Sequence, residues 1–148
     1  KIDLPLVVIG GKTDYLNEVK ALVEKYKLTK SVQFLHNVET PDLPAIYNMA
    51  EIFIYPSIFE GFGIPILEAL CSSTPVISST GSCFEETGGK DSLYVHYDNA
   101  DEMAVAINKV LSDKDLKKTM QLNGLKHAAR FKDEVVVQDL MNVYQSLF

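Results

Sequence analysis

Apolar residues gather in five short runs along this chain: Leu6-Val7-Val8-Ile9, Val32-Gln33-Phe34-Leu35, Ile52-Phe53-Ile54-Tyr55, Val76-Ile77-Ser78-Ser79 and Leu93-Tyr94-Val95. Each is rich in β-branched or aromatic residues and closes on glycine, proline or polar residues, the mark of short buried strands. Leu6–Ile9 is unbroken and ends in Gly10-Gly11, which predicts a buried parallel strand and a tight loop. Between the runs the apolar spacing becomes helical. Leu16, Val19, Leu22, Val23 and Tyr26 share one face behind Thr13 or Asp14 as cap. Thr40-Pro41 starts a short helix through Ala50, with Thr40 as cap and Pro41 as first residue. Pro65 suits a first helical position, and Ile66, Leu67, Ala69, Leu70 and Cys71 after it make a helix apolar nearly all round, hence buried. Residues 80–89 form a loop with about one helical turn. Helices follow over Asp101–Leu111, Leu116–Phe131 (with Asn123-Gly124 as a weak point) and Asp133–Leu147.

Strands alternating with helices imply a parallel sheet. The predicted fold is α/β: a doubly wound, Rossmann-like, mostly parallel sheet of about five strands flanked by helices, in a single domain over residues 1–148.

Composition narrows the function. A net charge of −6 argues against nonspecific binding to nucleic acid or anionic lipid. No apolar run reaches membrane-spanning length. Cys71 and Cys83 have no spacing suited to zinc or a disulfide framework, so both are read as reduced thiols and the expected location is cytoplasmic. No metal site is expected.

Chemistry concentrates in Glu60-Gly61-Phe62-Gly63-Ile64-Pro65-Ile66-Leu67-Glu68-Ala69, a strand exit, a glycine-rich loop and a helix start carrying two acids. A helix start offers unpaired N–H groups and the positive end of a dipole, so it attracts anions. Gly61 and Gly63 let the backbone turn and approach a ligand. Glu68 leans back toward the helix start and is a natural acceptor for a ribose diol. Glu60 stands at the loop entrance, where a sugar would lie. The same residues also fit a plain loop, with Glu68 gaining roughly 0.3–1 kcal/mol from the dipole alone. Gly10-Gly11 lacks the G-x-G-x-x-G dinucleotide pattern, and a single His36 at a strand end is more often structural than catalytic.

The stretch from Glu60 to Glu68 closely resembles the Glu-x7-Glu motif of family 4 retaining nucleotide-sugar glycosyltransferases, which have the GT-B fold. Val32–His36, Asp42–Tyr47, Thr74–Ser78 and Phe131–Tyr144 resemble the family's flanking elements in order, so the resemblance covers essentially the whole chain as a C-terminal, donor-binding half. It implies transfer of a hexosyl group from a nucleoside diphosphate sugar to an acceptor hydroxyl, with retention and without a metal or other cofactor. By the same resemblance Glu60 is the catalytic residue, hydrogen-bonding the donor sugar and helping to stabilise its oxocarbenium-like centre. The backbone amides of Phe62, Gly63 and Ile64 hold sugar hydroxyls or the distal phosphate, Gly61 belongs to the same donor-binding loop, Glu68 holds the ribose, and Gly10, Gly11 and His36 line the donor.

In the family an Arg and a Lys grip the donor pyrophosphate, and no residue here matches them. A diphosphate beside two acids is unfavourable without cations, since each unit-charge pair at about 4 Å is worth some 4 kcal/mol at an effective dielectric of about 20. The chain is therefore expected to be part of a larger enzyme. Its N-terminal domain, which would bind a glycan, lipid-linked or small-molecule acceptor and touch the inner face of a membrane, and probably a first strand-helix unit lie outside it. Alone it should bind donor weakly and transfer nothing. Two alternatives stay open: a non-catalytic nucleotide-sugar-binding or assembly domain, and a GT-B epimerase or phosphorylase.

Overall fold

A computed structural model describes residues 2–148. Its strands are β1 (Leu6–Ile9), β2 (Val32–Leu35), β3 (Phe53–Tyr55), β4 (Val76–Ser79) and β5 (Leu93–Val95). The helices are α1 (Tyr15–Lys25), α2 (Leu43–Met49), α3 (Ile64–Cys71), α4 (Phe84–Gly88), α5 (Ala100–Ser112), α6 (Lys114–Ala128) and α7 (Asp133–Gln145). All strand pairing is parallel, as the alternation predicts, and the hydrogen bonds join β1 to β2 and β3 to β4 to β5. The chain divides into two units, Lys1–Leu43 and Pro44–Phe148.

In the second unit β4 is the middle strand and is buried along its whole length. Phe53 is paired with Val76, Tyr55 with Ser78, and Ser79 with Val95. Ile77 packs with Val95, Ala106, Val110 and Met120 beneath α5 and α6. Helix α3 packs along β3 and β4 and also against α4 and α6. Ile66, Ala69 and Leu70 of α3 are fully buried, as its apolar character predicts, whereas Leu67 is half-buried and Cys71 is exposed. Asn99 and Asp113 cap α5 and α6 by accepting from the N–H of Glu102 at 3.0 Å and of Leu116 at 2.9 Å. One buried hydroxyl, Ser79 Oγ, has no partner among the described residues.

Two expectations change. Leu6–Ile9 reads as a buried strand, yet Leu6, Val7 and Ile9 are 50%, 39% and 41% exposed. Strand β1 pairs only with β2 among the described residues, and α1 has no buried residue, so neither face of the pair is closed. Asn123-Gly124, read as a weak point, lies inside α6 with Gly124 buried. A Cβ there would meet Leu70 Cδ2 at 2.7 Å, so the missing side chain lets α3 and α6 approach closely. Helix α7 has no buried residue. Its Val136, Val137, Leu140, Met141 and Tyr144, and Leu147 just beyond it, all face solvent. Among the described residues no helix is long and apolar enough to cross a membrane.

Candidate functional site

The acidic motif begins where β3 ends. Tyr55 is the last residue of β3, and its hydroxyl donates to Glu60 Oε1 at 2.6 Å; Ser57 Oγ donates to the same oxygen at 3.0 Å. The backbone of Glu60 is tied to the β4–α4 loop. Ser82 Oγ donates to Glu60 O at 2.9 Å and accepts from Glu60 N at 3.4 Å, and Cys83 Sγ donates to Glu60 O at 3.4 Å. Thr87 of α4 holds Phe62 O through its hydroxyl, and the Phe62 ring stands edge-on to Phe131 at 5.4 Å. The loop is thus fastened on both sides.

Gly63 makes the turn into α3. Its φ of +84° is left-handed, and it caps the helix in that conformation. Helix α3 then opens on Ile64, one residue earlier than Pro65 alone suggests, which makes Glu68 its fifth residue. Gly61 is not in the left-handed region, and a Cβ there would meet nothing within 4 Å, so the turn does not explain this glycine. Among the described residues, no backbone or side-chain acceptor takes a hydrogen bond from the N–H of Gly61, Phe62, Gly63 or Ile64. Around these free donors the apolar side chains of Ile58, Phe59, Phe62 and Ile64 face solvent, Phe59 being 78% exposed. An exposed apolar rim around unpaired donors is a surface that a bound molecule would improve.

Glu68 projects from α3 to Tyr47 of α2, whose hydroxyl donates to Glu68 Oε2 at 3.0 Å. Tyr47 stands edge-on to Phe53 at 5.1 Å, and Phe53 stacks on Tyr55 at 5.7 Å. The two acids are therefore tied to members of one aromatic row. Burial first, then the hydrogen bond to Glu60 and its charge, push the Tyr55 phenol up to about 12. Burial and the Glu68 carboxylate drive Tyr47 further above its ordinary value. Neither acid is ion-paired to a basic side chain among the described residues.

Of the predicted site residues, Glu60, Gly61, Phe62, Gly63, Ile64 and Glu68 lie together on one loop and helix start. Gly10, Gly11 and His36 belong to the first unit, where His36 Nδ1 lies 2.9 Å from Gly10 O. Neither glycine there is left-handed, and a Cβ at either meets nothing within 4 Å. His36 also lines an open cavity of about 570 Å³ with Lys12, Asp14, Asn17 and Lys20 at the start of α1. A separate cavity of about 650 Å³ in the second unit is lined from α4 and α6 and contains no motif residue. Its side chains serve the fold: His127 Nε2 lies 2.9 Å from Glu86 O, and its ring fills the space left by Gly89.

Tyr47 and Tyr55 were not among the residues that sequence reasoning singled out. Spacing offers no signal for Tyr47, which meets an acid 21 residues away. Tyr55, five residues before Glu60 at the end of a strand, carried a faint one.

Comparison with known proteins fits this geometry. The family described as glycosyl transferases group 1 matches residues 1–127. O-antigen chain mannosyltransferase RfbU of Salmonella typhimurium is 39% identical over 105 residues, covering 71% of this chain and 30% of that protein. The C-terminal domain of a group 1 family glycosyl transferase (LpcC) from Francisella tularensis superposes with a TM-score of 0.78 at 26% identity, covering 87% of this chain and 70% of that one. Anabaena Alr3699/HepE in complex with UDP-glucose gives a TM-score of 0.83 at 21% identity, covering 97% and 41%, a likeness of fold. The match thus spans under a third of the length of the Salmonella relative. With the family matched over most of its residues and the strand, loop and helix of the acidic motif in place, this chain belongs to the group 1 glycosyl transferases and has the fold of the C-terminal domain of a GT-B enzyme.

Proposed function

We propose that this chain is the donor-binding half of a retaining glycosyltransferase that moves a hexosyl group from a nucleoside diphosphate sugar to an acceptor hydroxyl, without a metal. The observation that carries the reading is the row of free N–H groups from Gly61 to Ile64, with Glu60 before it and Glu68 after it. Free amides of this kind complement phosphate oxygens and sugar hydroxyls. Glu60 accepts from the donor sugar and stabilises the positive charge that grows at its anomeric carbon as the leaving diphosphate departs. Glu68 accepts from the ribose diol. In the first unit, Gly10, Gly11 and His36 are proposed as nucleotide-contacting residues, on the open space beside each glycine and the cavity next to His36.

The charge balance limits what this chain does alone. Glu60 and Glu68 bring negative charge, one helix start supplies roughly half a positive charge, and neither acid has a basic partner among the described residues. On this reading donor phosphates need cations beyond those of the acidic loop, and the acceptor is bound by a second domain.

The test is calorimetric titration with UDP-glucose and GDP-mannose, followed by transfer assays in the full-length protein with labelled donor. Weak binding by this chain is expected, and turnover by the full-length enzyme that survives EDTA. Glu60→Gln should lower kcat by about two to four orders of magnitude while the fold persists. Full activity in Glu60→Gln, or product of inverted configuration, would overturn the reading.

A further inference from the structure

We propose that Tyr55 and Tyr47 are positioning residues: each holds one carboxylate oxygen of the acidic motif so that the other is presented to the donor. This rests on the donor-site reading above and goes beyond it, because it assigns roles to two side chains outside the motif.

The two contacts have the same form. Glu60 uses Oε1 for both Tyr55 and Ser57, and Oε2 takes no hydrogen bond among the described residues. Glu68 uses Oε2 for Tyr47, and Oε1 takes none. Neither free oxygen is among the buried polar atoms without a partner, so both are open to solvent. The terminal torsion of a glutamate is otherwise broad, and a hydroxyl bound to one oxygen fixes it. The tyrosines come from different elements, β3 and α2, yet both rings pack on Phe53, so one rigid aromatic row sets the orientation of both acids.

The choice of donor also matters. A lysine or arginine would orient a carboxylate but would cancel the charge that a cationic sugar centre needs. A phenol orients it and leaves the charge in place. Both phenols stay protonated through any working pH, since burial and the neighbouring carboxylates raise them, Tyr55 to about 12. The 2.6 Å contact at Glu60 is in the range of a charge-assisted bond, and the 3.0 Å contact at Glu68 is longer. The larger consequence should therefore fall on Tyr55.

The experiment uses the full-length enzyme, with UDP and GDP as binding probes and UDP-glucose and GDP-mannose as donors. Tyr55→Phe should lower kcat by about 10- to 100-fold and leave affinity for the nucleoside diphosphate within about twofold, the worth of one hydrogen bond to a charged group. Tyr47→Phe should do the reverse, weakening nucleoside diphosphate affinity by about tenfold with kcat little changed. Tyr94→Phe is the structural control. Its hydroxyl donates to Gly89 O at 2.6 Å, away from the motif, so it should lower Tm without separating kcat from affinity. If both motif variants behave like Tyr94→Phe, or neither changes anything while Glu60→Gln abolishes turnover, the tyrosine assignment falls and the donor site stands. If the unaltered enzyme binds no nucleotide and Glu60→Gln is fully active, both fall.

Discussion

The two units of this chain use the same ingredients, short β-branched strands and amphipathic helices, and reach different degrees of closure. In the second unit β4 has a strand on each side and helices packed along it, and all four of its residues are buried. In the first, β1 has one neighbour among the described residues, and three of its four residues lie open. The runs Leu6–Ile9 and Val76–Ser79 are equal in length, and the first is the more apolar. Burial therefore follows the number of neighbours a strand acquires, not its own hydrophobicity. A two-stranded ribbon cannot bury both faces, whatever its side chains.

Core truncation offers the strongest test of that contrast. Ile77→Ala removes a fully buried side chain packed against Val110 and Met120, and should cost about 2–5 kcal/mol in denaturant unfolding. Val7→Ala, on the open strand, should cost under about 1 kcal/mol, because much of its surface is already wet. Equal losses would mean that the first unit is closed in solution.

Glycine substitution gives a smaller effect of the same kind. Gly89 has φ +71°, and a Cβ there meets the His127 ring at 2.8 Å, so Gly89→Ala should destabilise by about 1–3 kcal/mol. Gly10→Ala meets nothing and should change stability by no more than about 0.5 kcal/mol. Any loss of nucleotide binding in Gly10→Ala would then belong to the ligand and not to the fold.

The mildest test is alkaline. Tyr55 and Tyr94 are each raised to about 12, and Tyr47 higher still. A phenol raised on folding favours the native state below its unfolded value of about 10, and that contribution is lost as pH climbs through the folded value. Stability of the second unit should thus decline between about pH 10 and 12, followed by circular dichroism with phenolate absorbance. The tyrosines of the first unit, Tyr15 and Tyr26, are both exposed. Loss of structure in the first unit alone over that range would contradict the assignment.

Much of this was legible in the chain before any coordinates, for identifiable reasons. Strand positions followed from β-branched runs because backbone preference and burial agree there. The start of α3 was placed to within one residue by Pro65, which has no N–H to lose. The grouping of Glu60 to Glu68 was legible because it is local. What escaped depends on partners distant in sequence. Tyr47 reaches Glu68 from another helix 21 residues away, and β1 is open because it pairs only with β2 among the described residues. Gly124 was misjudged for the same reason, since a glycine within a helix looks weak until the helix it faces is known.

That glycine has a reach beyond stability. Leu70 sits in the hollow that Gly124 leaves, at the other end of α3 from the amides of the acidic loop. A methyl group added there would lift α3 like a shim and tilt the far end of the rod. The setting of Glu68 is thus sensitive to a contact remote from the loop that carries Glu60.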